Sequence, residues 1–179
     1  QIRQTQSMAV GDGRDYEKIP ENPVITADTL PEGSSLSDFR DPKIWREDDG
    51  FYAVIGSRSA DGSGQIALYS SEDLRNWRFV TILERCNNEY GKMWECPDFF
   101  PLDGKQVLMV SPQEMLAEGL EHHNGNGSLC LIGSYDKGSH TFTREAVQAI
   151  DYGMDFYAGQ TTETPDGRRV LVAWMNNWE

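Results

Sequence analysis

Long apolar runs are missing from these 179 residues, and no stretch approaches the 18 or so that would cross a bilayer as a helix. A membrane-embedded chain is therefore not expected. Basic residues are scarce: 16 Lys and Arg stand against 29 Asp and Glu, for a formal charge of -13. Such a surface repels a phosphate backbone, because nucleic-acid binding depends on Lys and Arg releasing counterions, so nucleic acid is not an expected partner. Cysteine is sparse too. Cys86, Cys96 and Cys130 are odd in number and show no Cys-x-x-Cys or Cys/His ligand spacing. They read as free thiols, which tilts the compartment toward a reducing cytoplasm, and neither a metal nor a cofactor is expected. His122-His123 sits among turn formers in Glu121-His122-His123-Asn124-Gly125-Asn126-Gly127, and neighbours in a strand point opposite ways, so a loop pair without a metal is the reading. Asn126-Gly127-Ser128 matches a glycosylation sequon and carries little weight by itself.

Helical periodicity is nearly absent. The apolar runs are short, rich in β-branched and aromatic residues, and bounded by Gly, Pro, Asp and Asn, so the expected class is all-β. One unit recurs: a strand opening near Asp and Pro, an Asp-Gly turn, then a second apolar strand. Its copies run Asp41-Pro42-Lys43-Ile44-Trp45 to Phe51-Tyr52-Ala53-Val54, Pro97-Asp98-Phe99-Phe100 to Val107-Leu108-Met109-Val110, and Asp155-Phe156-Tyr157-Ala158 to Val170-Leu171-Val172-Ala173. The turn glycines Gly50, Gly104 and Gly167 set a period of 54 and then 63 residues, which suits a four-stranded propeller blade with decorated loops. Outer strand pairs repeat as well, in Ile66-Ala67-Leu68-Tyr69 with Trp77-Arg78-Phe79 and in Leu129-Cys130-Leu131-Ile132 with Thr141-Phe142. Residues 1–179 thus read as part of one β-propeller domain, about three blades: an outer half-blade, two whole blades and an inner half-blade. Unpaired strand edges on such a piece predict self-association.

In a propeller the innermost strands surround the axis, and residues near their starts face a common pocket. Arg40-Asp41 opens the first such strand, Glu95 precedes Pro97 in the second, and Asp155 with Tyr157 opens the third. Glycosidic cleavage needs carboxyl groups converging in this way, one to protonate the leaving oxygen and others to stabilise an oxocarbenium-like centre. Trp45, Trp94, Trp174 and Trp178 could offer flat faces to a sugar. Singly, each residue has a plainer reading, since Asp before Pro is commonly a turn residue and aromatics in strands are commonly core. Recurrence at one place in successive repeats weighs the other way.

Asp38-Phe39-Arg40-Asp41-Pro42-Lys43 resembles the Arg-Asp-Pro motif of glycoside hydrolase family 32, and Trp94-Glu95-Cys96-Pro97-Asp98 resembles its Glu-Cys motif. Asp151-Tyr152-Gly153-Met154-Asp155-Phe156-Tyr157-Ala158 and Trp174-Met175-Asn176-Asn177-Trp178 are similar to two further signatures, in family order. The resemblance implies a five-bladed propeller followed by a β-sandwich, here without the closing blades and the sandwich. It implies retaining hydrolysis of terminal β-fructosides such as sucrose, sucrose 6-phosphate or a fructan. By the same resemblance Glu95 is the acid/base, Asp41 the transition-state stabiliser, and Arg40, Trp94, Asp155, Tyr157 and Trp178 surround the sugar. The family nucleophile is an aspartate in an Asn-Asp-Pro-Asn-like motif, which these residues lack, so it is expected outside them and the chain alone is expected to be inactive. Related arabinosidases or xylosidases, fructosyltransferases and non-catalytic sugar-binding propellers are the alternatives.

Overall fold

The computed structural model describes residues 2–176. Among them the order of strands is β1 (Thr5–Gln6), β2 (Ala9–Gly11), β3 (Tyr16–Lys18), β4 (Ile25–Thr26), β5 (Phe39–Glu47), β6 (Gly50–Arg58), β7 (Gly64–Ser71), β8 (Trp77–Arg85), β9 (Met93–Leu102), β10 (Lys105–Gln113), β11 (Leu129–Asp136), β12 (Thr141–Ala149), β13 (Tyr157–Glu163) and β14 (Arg169–Trp174). One 3₁₀ turn, Ala27–Thr29, is the sole helical segment among the described residues. Strands β5-β6-β7-β8 form one antiparallel sheet and β9-β10-β11-β12 a second, while β13-β14, β2-β3 and β1-β4 pair by twos. Two whole blades flanked by partial ones are what the repeat predicts.

The middle strands explain the apolar runs. Tyr52 to Ile55 on β6 and Ile66 to Tyr69 on β7 are buried on both faces, which is where an uninterrupted apolar strand belongs. A core of Val54, Leu68, Trp94, Phe99, Leu108 and Leu131 joins the two sheets. The Asp103-Gly104 turn between β9 and β10 puts both residues at positive φ, 48° and 78°, the conformation that a two-residue hairpin needs.

Strand β9 begins at Met93, four residues before Pro97. It continues through the proline because it lies at the inner edge of its sheet, where a missing N–H breaks no ladder bond. Strand β13 begins at Tyr157, so Asp155 falls in a bend and not in the strand the repeat suggests.

The two blades approach each other through glycine. A Cβ on Gly56 would lie 2.2 Å from the Trp94 carbonyl oxygen, and one on Gly64 would lie 2.4 Å from the Trp94 indole. Gly56→Ala therefore forces the sheets apart and is expected to cost about 1–3 kcal/mol as overpacking, read as a lower urea midpoint of the whole protein; an unchanged midpoint is the contrary result. On the β13-β14 pair, Val172 is 67% exposed beside half-exposed Trp174. The 179-residue chain prepared alone is expected to self-associate through this face, and a monodisperse monomer by light scattering is the contrary result.

Candidate active site

The same distortion occurs in three successive inner strands. In β5 the register jumps between Arg40 and Lys43, in β9 it jumps opposite Met109 and Ser111, and in β13 it jumps between Tyr157 and Gln160. At each jump two residues oppose one, and the first of the two is left-handed: Asp41 at φ 63°, Cys96 at φ 48° and Ala158 at φ 55°. Each is a β-bulge, which bends its strand and re-aims the side chains around it.

The residues just before the bulges meet. Arg40 Nε donates to Glu95 Oε1 at 2.6 Å, and the Tyr157 hydroxyl donates to Glu95 Oε2 at 2.6 Å. Both oxygens of the carboxylate are thus held by partners from the two neighbouring strands, and the Arg40 bond is an ion pair as well. Arg40 is fixed in turn, donating through Nη2 to Gln113 at 3.1 Å and through Nη1 to Gln4 at 3.2 Å and Asp38 at 3.3 Å. The bulge residues lie alongside. Cys96 N–H, released from the ladder by its bulge, donates to Asp41 Oδ2 at 3.1 Å, and the Cys96 thiol approaches the same oxygen at 3.5 Å. Asp41 and Glu95 line one open cavity of about 480 Å³ with Cys96, Gln113, Asn126, Tyr157, Ala158 and Trp174. That volume is within the range of small-molecule sites, about 300–1,000 Å³.

The surroundings keep the donors protonated. Burial first, and then the bond to Glu95, raises the Tyr157 hydroxyl well above the ordinary phenol value. Burial, then the charges of Asp41 and Glu95, pushes the Cys96 thiol up to about 12. For Arg40, burial works toward a lower value, but its bond and charge contacts with Glu95 and then Asp38 outweigh it and hold the guanidinium charged.

Of the residues singled out by sequence, Asp41, Glu95, Arg40 and Tyr157 come together. Trp94 does not join them: its indole is fully buried, donates to the Tyr90 carbonyl at 2.7 Å and packs over Gly64. Adjacent strand residues alternate faces, so with Glu95 aimed at the cavity Trp94 must enter the core, and it offers no face to a sugar. Asp155 is exposed in its bend and is not a cavity-lining residue. Trp178 lies outside the described residues. Trp45 stacks on Tyr52 with ring centroids 5.7 Å apart, away from the cavity, whereas Trp174 lines it. Gln113 and Asn126 line it too, Gln113 without any motif and Asn126 with only the sequon, which does not point to a sugar pocket. Among the described residues no cluster of His, Cys, Asp and Glu is arranged to hold a metal. No helix there is long and apolar enough to cross a membrane.

A family model described as "Glycosyl hydrolases family 32 N-terminal domain" matches residues 1–179. A sucrose-6-phosphate hydrolase of Zymomonas mobilis is 41% identical over 99% of this chain and 36% of its own length. A raffinose invertase of Escherichia coli is 40% identical over 99% of this chain and 36% of its own. Among solved structures, the Bombyx mori GH32 β-fructofuranosidase BmSUC1 superposes with a TM-score of 0.91 at 41% identity, over 99% of this chain and 37% of its own; a mutant of that enzyme in complex with sucrose superposes equally well. The chain therefore spans a little over a third of these relatives.

A thiol pushed up to about 12 carries little thiolate at pH 8. Alkylation of Cys96 by iodoacetamide at that pH, followed by peptide mapping, is expected to run at least about tenfold slower than that of free cysteine; an equal rate is the contrary result.

Proposed function

We propose that this chain, which belongs to glycosyl hydrolase family 32, provides the acid/base and the substrate-holding wall of an enzyme that hydrolyses terminal β-fructosides with retention. The observation that carries the reading is the convergence of Asp41 and Glu95, from two different inner strands, on one sugar-sized cavity. The relatives, an invertase, a sucrose-6-phosphate hydrolase and a β-fructofuranosidase by name, agree with it.

In this reading Glu95, once it holds a proton, gives it to the glycosidic oxygen as the bond to the fructosyl carbon breaks. The fructosyl group passes to a carboxylate supplied from beyond these residues. Glu95 then takes a proton from the water that attacks the fructosyl-enzyme bond, which releases fructose and restores the carboxyl group. Asp41 accepts hydrogen bonds from the sugar hydroxyls and offsets positive charge at the ring carbon. Tyr157 and Arg40 hold the Glu95 carboxylate between steps. Asp155 is assigned to the geometry of the bend before β13. The substrate is a small-molecule or oligosaccharide fructoside, and nucleic acid and membrane are not proposed as partners. The three unpaired cysteines favour a cytoplasmic setting.

Glu95→Gln in the whole protein tests the reading with sucrose. Hydrolysis is expected to fall about 10²–10⁴-fold with sugar affinity kept, because the amide cannot exchange the proton. A whole protein that binds sucrose without any turnover to lose would instead be a sugar-binding propeller.

A further inference from the structure

A second set of residues lies one step further along each inner strand. Two positions beyond the left-handed bulge residues Asp41, Cys96 and Ala158 stand Lys43, Asp98 and Gln160. They are equivalent in the repeat, and they also meet. Lys43 Nζ donates to the Thr161 carbonyl at 2.7 Å and to Gln160 Oε1 at 3.2 Å, and pairs with Asp98 Oδ2 at 3.3 Å. Those contacts match the three protons of an ammonium group. Asp98, 1% exposed, accepts from Thr161 N–H at 2.6 Å and from the Thr161 hydroxyl at 2.7 Å. With its oxygen taken by Lys43, the Gln160 amide turns its nitrogen toward β9 and donates to the Cys96 carbonyl at 2.8 Å and the Pro97 carbonyl at 3.2 Å. Those two carbonyls belong to the bulge that aims Glu95.

None of the three lines the cavity that holds Asp41 and Glu95. Stability alone is a weak reason for them, since a buried ion pair is commonly no more stabilising than well-packed apolar side chains of the same volume. What a saturated ammonium, a buried carboxylate and an oriented amide supply is a fixed angle between three strands that share no backbone ladder with one another. An apolar contact can slide, whereas this one has a single arrangement that satisfies every donor.

Resting on the function proposed above, we propose that Lys43, Asp98 and Gln160 are positioning residues, a layer that sets the mutual placement of Asp41, Glu95 and Tyr157 without touching the sugar. An interstrand shift that this layer prevents would misplace the acid relative to the glycosidic oxygen, and a displacement of about 1 Å costs on the order of 100-fold in rate.

The test uses the whole protein with sucrose as the probe and compares Lys43→Met, Asp98→Asn and Gln160→Leu with Glu95→Gln. Each positioning variant is expected to lose about 10–100-fold in kcat with KM changed less than about threefold, and the Lys43→Met/Asp98→Asn pair is expected to be no worse than the worse single variant, as for groups acting as one unit. Near-ultraviolet circular dichroism fixes the folded fraction, so that kcat is expressed per folded molecule. If Asp98→Asn does not fold, Lys43→Met decides, because Lys43 is only partly buried. Wild-type kcat in folded Lys43→Met and Gln160→Leu, beside an inactive Glu95→Gln, overturns the positioning layer and leaves the hydrolase reading standing. An unsubstituted protein that turns over no fructoside overturns both.

Discussion

Everything chemical in this chain depends on a backbone conformation that side chains ordinarily avoid. Asp41, Cys96 and Ala158 are held left-handed, at a cost of about 1–2 kcal/mol each for residues with a Cβ. Regular strands in their place would face alternate residues toward and away from the axis, and Glu95 with Cys96, or Tyr157 with Ala158, would not both border the cavity. The bulges bring Arg40 and Tyr157 onto the two oxygens of Glu95 and leave the next residue of each strand beside them. It also frees the Cys96 N–H, which then fixes Asp41. Part of the strain is therefore offset by the very contacts that it creates.

The Glu95 carboxylate shows how much of the fold converges on one group. Its two oxygens are held by a guanidinium and a phenol from different strands, and behind it the Trp94 indole is locked between blades where Gly56 and Gly64 leave room. The backbone at this point cannot move toward the cavity without losing the indole's packing, nor away from it without striking Gly56. Rigidity of this kind is what a proton donor needs, since its reach is set to a few tenths of an ångström.

The strand-and-turn repeat was legible in the sequence because Asp-Gly turns and apolar runs are local signals, and the structure returns the two whole blades that they implied. Asp41, next to Pro42, and Glu95, two residues before Pro97, were legible because each lies near the start of such a strand. Trp94 belongs to the core and not to the sugar, because the alternation of faces along a strand sets it opposite Glu95. The repeat extends the third inner strand to Asp155, whereas β13 starts two residues later, after the bend. Asn126 reaches the cavity from a long loop with no periodicity to read. The Lys43 and Asp98 pair carried a usable signal: aligning Arg40-Asp41-Pro42-Lys43 with Glu95-Cys96-Pro97-Asp98 on their prolines sets opposite charges at one repeat position. Only the geometry of the bulge, which no composition records, explains why those charges touch.

The near-identity of the three bulged segments has a further consequence for how such a protein can change through descent. Their main chains follow one path while their side chains at matching places are Arg, Glu and Tyr, then Asp, Cys and Ala, then Lys, Asp and Gln. A duplicated ancestor with a uniform ring could acquire a lopsided, reactive one by point substitution, each copy specialising while its siblings preserve the frame.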